Sequence, residues 1–223
     1  MCIQCIIEDY MKILIVSDQV DPIIYSSGIE KFKYVDMILS CGDLPRYYLD
    51  FIISSINKPL FYVRGNHFRP VEYTSYGAAI TEIAGGINLD ERVIAYKQMV
   101  LMGFEGSHKY NNEGVQYTDT EMFFKVARTL PKLWLKKIRY PAGPDIIVTH
   151  CPPLGINDRT DSSHVGFKIF RRLIHKYQPR FFLHGHSHYI GANEKRETRV
   201  GRTRVINTTG HIVIDTEVNN HEP

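Results

Sequence analysis

The chain has 223 residues, with 27 Lys and Arg against 24 Asp and Glu for a net charge of +3, and it is 43% hydrophobic. That length suits one sizeable domain or at most two small ones, and the composition excludes a disordered, collagen-like or mucin-like chain. The small positive charge admits an anionic substrate. It forms no dense basic stripe of the kind a nucleic-acid binder presents, so nucleic acid is not an expected partner.

Residues 1–10, MCIQCIIEDY, lack a basic region and carry Glu8 and Asp9 where an export signal stays apolar. They read as an N-terminal extension, with residues 11–223 as a single domain. Cys2 and Cys5 form a lone C-x-x-C without a second pair or a nearby His, which reads more simply as two terminal thiols than as a metal site. With Cys41 and Cys151 they are too few for a disulfide framework and suit a reducing, cytoplasmic setting. No apolar run reaches the roughly 18 residues that a membrane span requires.

Short apolar runs predict strands over Lys12–Ser17, Met37–Ser40, Leu60–Val63, Val93–Tyr96, Met99–Gly103, Ile146–Thr149, Phe181–His184, Thr203–Ile206 and Ile212–Asp215. Helical spacing appears over Tyr48–Ile56, Asp119–Ile138 and Gly166–Tyr177, while the strands near 93 and 99 read as a hairpin. The alternation is that of a layered α/β domain. Trp134, Leu135 and Ile138 read as the core face of their helix.

Several strands end in polar bursts that do not belong in a core: Ser17-Asp18, Gly42-Asp43, Gly65-Asn66-His67, Thr149-His150 and His184-Gly185-His186-Ser187-His188. In layered α/β folds the carboxyl ends of strands share one edge, where ligand sites form. Asp, Asn and His together suit Mn, Fe, Zn or Co better than Ca or Mg. His186 and His188, one residue apart in extended chain, face the same side. His184 reads as a strand end, and His108 and His164 as loop residues outside the site. Cys41 and Cys151 read as packing. The basic run Lys195, Arg196, Arg199, Arg202 and Arg204, diluted by Glu194 and Glu197, reads as a solvated hairpin face.

This ordered set of motifs resembles the calcineurin-like metallophosphoesterase superfamily from Met11 to about Asp215. Similarity to a prokaryotic branch extends to Asp21-Pro22, Gly106-Ser107, Gln116-Tyr117-Thr118 and Cys151-Pro152-Pro153-Leu154-Gly155. The resemblance implies a four-layer α/β/β/α sandwich of two mixed sheets and a dinuclear centre of Mn, Fe or Zn. Asp43 would bridge both metals, Asp18 and His188 would complete the first site, and Asn66, His150 and His186 would hold the second. Metal-bound hydroxide would attack phosphorus in line, with His67 as proton donor to the leaving oxygen. The implied substrate is a phosphorylated small molecule or nucleotide-type compound, with a phosphodiester slightly preferred over a monoester.

Two departures from the family pattern stand out. The first motif is usually Asp-x-His, and Asp18-Gln19-Val20 has no ligand at its third position, so the first site is expected to be weakened. Gln19 and Asp21, one residue away, are expected to point elsewhere. The third motif often continues with an acidic residue after His, and here it has Phe68, which offers an imidazole no hydrogen bond. The rival reading is a non-catalytic scaffold of the same fold that binds a protein partner, and a nuclease is a third. The sequence leaves the oligomeric state open.

Overall fold

Aliphatic and β-branched runs set the strands, and the chain-order elements of the computed structural model follow them. They are β1 (Lys12–Ser17), β2 (Met37–Ser40), α1 (Arg46–Ile56), β3 (Leu60–Tyr62), β4 (Glu72–Tyr73), β5 (Ala79–Ile80), β6 (Gly86–Asn88), β7 (Arg92–Tyr96) and β8 (Met99–Phe104). Then come β9 (Ser107–His108), β10 (Gln116–Tyr117), α2 (Asp119–Lys137), β11 (Ile146–Thr149), α3 (Lys168–Tyr177), β12 (Phe181–His184), β13 (Glu197–Val200), β14 (Thr203–Asn207) and β15 (Gly210–Asp215). The structure describes residues 10–69, 71–73, 76–111, 113–137, 140–187 and 195–216. Cys2, Cys5, Ile138, His188 and Glu194 therefore lie outside the described residues.

Two mixed sheets carry the fold. One runs β15-β1-β2-β3-β6 and the other β13-β14-β12-β11-β8-β7. In the first, β1, β2, β3 and β6 are parallel and β15 closes the edge antiparallel to β1. In the second, β8, β11, β12 and β14 are parallel, flanked by antiparallel β7 and β13. The expected hairpin is β7–β8, and the basic run falls on the β13–β14 hairpin, where Arg204 pairs with Glu197 through two bonds of 2.7 and 2.8 Å.

Alternation of side chains along each strand divides the core into three layers. Ile13, Ile15, Leu39 and Phe61 of the first sheet meet Leu101, Ile146, Val148 and Leu183 of the second. The opposite face of the first sheet, through Leu14, Ile38 and Leu60, packs on Tyr48, Leu49 and Ile52 of α1. The opposite face of the second, through Val100, Met102, Ile147 and Phe182, packs on Met122 and Val126 of α2 and on Phe170 and Ile174 of α3. The result is the α/β/β/α order.

A capping box starts α2: Thr118 Oγ1 accepts from the Glu121 N–H at 3.2 Å, and Glu121 Oε2 accepts from the Thr118 N–H at 2.7 Å. The stripe on that helix corrects the reading from sequence. Met122, Val126 and Leu133 are buried, whereas Trp134 is 68% and Leu135 61% exposed. The helix is apolar on two faces, so periodicity alone does not say which one meets the sheet.

Candidate metal centre

The parallel strands of both sheets end on one edge, and backbone hydrogen bonds carry that alignment into the loops. The Asp18 N–H donates to the Gly42 carbonyl, the Gly185 N–H to the His150 carbonyl and the Thr208 N–H to the His184 carbonyl. Asp18, Asp43 and His186 leave their strands with φ of 63°, 54° and 66°, a left-handed turn that points their side chains back over the edge. Gly65 and Gly185 allow the approach. A Cβ at Gly65 would overlap the Asp43 carboxylate, and one at Gly185 would overlap that of Asp18.

Asp43, from the first sheet, and His150 and His186, from the second, each offer one donor atom within 4.8 Å of the others. His150 is fully buried and sits between acceptors. Its Nδ1–H donates to the Cys41 carbonyl at 2.8 Å, so Nε2 is the atom that faces Asn66 Oδ1 at 2.8 Å and Asp43 Oδ2 at 3.2 Å. A lone pair on Nε2 aimed at two oxygens leaves them unmatched without a cation between them; a proton or a metal satisfies all three. Burial pulls the His150 pKa down, but the Asp43 charge and hydrogen bond outweigh it and raise it to about 9. Burial likewise works against the Asp43 charge, and His150 together with the His67 N–H overcomes it, lowering its pKa to about 2.

His186 is oriented differently. Its Nε2–H donates to the Ser163 carbonyl at 2.6 Å, which leaves Nδ1 with the free lone pair. Burial, then the neighbouring His150 charge, lowers its pKa to about 3, so it is a neutral imidazole at ordinary pH. Two neutral-capable imidazoles, a carboxylate and an amide oxygen are a donor set that fits a divalent transition metal.

The other expected residues fall around this core. Asp18 holds the His186 loop, accepting from the His186 N–H at 3.0 Å through Oδ1 and from Thr209 Oγ1 at 3.4 Å through Oδ2. The His67 ring is exposed, and its backbone N–H donates to Asp43 Oδ1 at 2.9 Å. His184 stands apart, with its Nδ1–H on the Gly185 carbonyl and Nε2 facing Asn157, and Cys41 is a buried thiol pushed up to about 12 by burial. Asp21 is engaged elsewhere, through His211 Nδ1 at 2.5 Å and the Ile23 N–H at 2.8 Å. Val20 packs against the cluster under α1.

Reasoning from sequence misses three neighbours. Tyr110 accepts from Asn66 Nδ2 at 3.0 Å and so turns the amide oxygen toward His150. Ser163 fixes the His186 tautomer, and His164, expected outside the site, lies against the His186 ring at 5.0 Å. These come from loops whose course no periodicity announces. Phe68 also acquires a partner of another kind, with the Arg46 and Arg64 guanidinia 4.4 and 5.2 Å from its ring centre. Cation–π contact with both guanidinia holds the ring of the residue that follows His67.

Two mixed sheets thus meet with a metal-type cluster at their shared strand ends. The chain belongs to the calcineurin-like phosphoesterase family, which matches residues 11–189. Similar solved structures include TT1561 of Thermus thermophilus, at 18% identity and a TM-score of 0.57 over 90% of this chain and 89% of that one. Another crystal structure reaches 0.60 at 16% identity over 92% of this chain and 95% of its own. Zinc-complexed Vps29 of Entamoeba histolytica is more distant, with a TM-score of 0.39 and 13% identity over 90% of this chain and 74% of its own. Likeness at these identities is one of fold. No curated protein matches the chain in sequence. Among the described residues, no helix is long and apolar enough to cross a membrane.

Proposed function

We propose that this chain hydrolyses a phosphoester with a divalent transition metal held by Asp43, Asn66, His150 and His186. The observation that carries the reading is the convergence of His150 Nε2 with Asn66 Oδ1 at 2.8 Å and Asp43 Oδ2 at 3.2 Å, where strand ends of the two sheets meet. When bound, the metal supplies the Lewis acidity that such hydrolysis needs. Asp18 and His188 belong in this proposal to the first, weakened site, which shares Asp43 with the second. His67, exposed at the rim, holds the proton for the leaving oxygen. Mn, Fe or Zn suits the donors, and a phosphodiester is preferred over a monoester.

The direct test is metal-stripped protein supplied with Mn, Zn, Fe(II) or Mg and offered a chromogenic phosphodiester and the matching monoester. Turnover with a transition metal supports the proposal and ranks the two substrates. Folded protein without turnover on either favours the scaffold reading, which Val20 keeps open.

Val20 yields its own expectation. Val20→His restores the Asp-x-His pattern and should raise bound metal by about one equivalent per chain, read by plasma mass spectrometry after dialysis. Because Val20 is half-buried against apolar neighbours, the variant should also lose about 1 kcal/mol of stability. Unchanged metal content would remove the first-site histidine position from the account.

A further inference from the structure

The outer face of α2 is apolar where a helix on a solvated surface is normally polar. Phe123 is 44%, Phe124 53%, Trp134 68% and Leu135 61% exposed. With the half-buried Ala127 and the exposed Pro131 between them, they fall within about 120° of the helix circumference. Flanking cations are already held by their own chain, Arg128 on the Glu91 carboxylate and Lys132 on the Glu91 carbonyl.

Its positions are symmetric about Thr129. Phe123 and Leu135 are equally far from it, as are Phe124 and Trp134, and Ala127 and Pro131. The stripe is therefore complementary to itself when a second helix runs the opposite way. About a two-fold axis at the level of Thr129, Phe123 and Phe124 of one copy meet Trp134 and Leu135 of the other, twice over. Ala127 and Pro131 lie at the centre, where short side chains let helices approach to roughly 8–10 Å.

Charge selects the same direction. Glu121 stands in the first turn and Lys136 towards the other end, while Asp119 and Lys132 are engaged within the chain, by Lys168 and by the Glu91 carbonyl. An antiparallel pair sets each acidic end beside a basic one and opposes the helix dipoles, whereas a parallel pair stacks like on like.

We propose that two copies of this chain associate through the outer face of α2 as an antiparallel, two-fold helix pair. The exposed parts of the two Phe, the Trp and the Leu amount to roughly 400–500 Å² of apolar surface per copy, judged from the area such side chains bury. That is less than the approximately 800 Å² per partner of a standard stable interface, so the dimer forms reversibly in a micromolar range.

Sedimentation velocity on the intact chain tests this. At about 50 µM the protein should sediment as a dimer and dissociate on dilution. Trp134→Glu should raise the dissociation constant at least 30-fold or so, with an unchanged melting temperature because the side chain is exposed. Register is tested by mixing Phe124→Lys with Leu135→Glu: each alone is a monomer, and together they form a heterodimer, since residue 124 of one copy lies beside 135 of the other. A wild-type chain that stays monomeric at that concentration overturns the proposal. So does a dimer indifferent to Trp134→Glu, a mixture that fails to pair, or a stripe that binds only an unrelated protein.

Discussion

Asp43→Asn is expected to abolish metal-dependent phosphoester hydrolysis, with a loss of roughly 10³-fold or more in turnover. The substitution keeps the volume and an oxygen for the His67 N–H, which now bonds Oδ1 at 2.9 Å. Asn also tolerates the left-handed backbone that Asp43 adopts at φ 54°. What it removes is the charge. Asp43 is the carboxylate in the cluster with His150 and His186, so its loss strikes metal affinity, while the chain still folds with the stabilising ion pair to His150 removed. Turnover should be measured beside metal content and a thermal unfolding curve. Wild-type turnover in a folded variant would show that Asp43 is not a ligand, whereas lost turnover with full metal content would move its role from holding the metal to the reaction itself.

The second large effect is on the stability of the metal-free protein. His150, raised to about 9 in the fold, stabilises it fully below its unfolded value of about 6.5, and that contribution is lost as pH rises through 9. The span corresponds to about 3 kcal/mol. Asp43, lowered to about 2, reports the same ion pair from its partner's side, and its part is lost as pH falls from 3.8 through 2. His186 and His184 act oppositely to His150. Burial, the largest cause for each, lowers them to about 3 and about 4, so the unfolded chain takes up protons below about 6.5 while the fold does not. Stability therefore peaks near pH 6.5 and declines to both sides. Urea midpoints at pH 5, 6.5 and 9 read this directly, and Asp43→Asn should flatten the alkaline limb. A midpoint constant from pH 6.5 to 9 in the wild-type chain would contradict the pairing of His150 with Asp43.

The sequence was most informative where one physical rule acted alone. Runs such as Ile146–Thr149 and Phe181–His184 are buried on both faces, so hydrophobicity and length were enough to mark β11 and β12. Asp43, Asn66, His150 and His186 were legible because polar groups with metal-binding chemistry follow such runs with no packing reason to be there. The two-residue strands β4, β5, β9 and β10 had no such signature, since so short a segment shows no period. Tyr110, Ser163 and His164 reach the centre by loop paths that depend on tertiary structure. Trp134 and Leu135 were misplaced for another reason: α2 carries an apolar stripe on each side, and the sheet could cover only one.

The left-handed turns at Asp18, Asp43 and His186 place a ceiling on how robust this protein can become. Each holds a non-glycine residue at positive φ, a conformation that costs on the order of 1 kcal/mol. Glycine would relieve the backbone at all three and delete two carboxylates and an imidazole from the strand edge. At Asp18 and Asp43, however, glycine would also lose the bonds from the His186 and His67 N–H groups and the Asp43–His150 pair, more than the relieved strain returns, so a more durable version of this chain has to be sought at positions away from that edge.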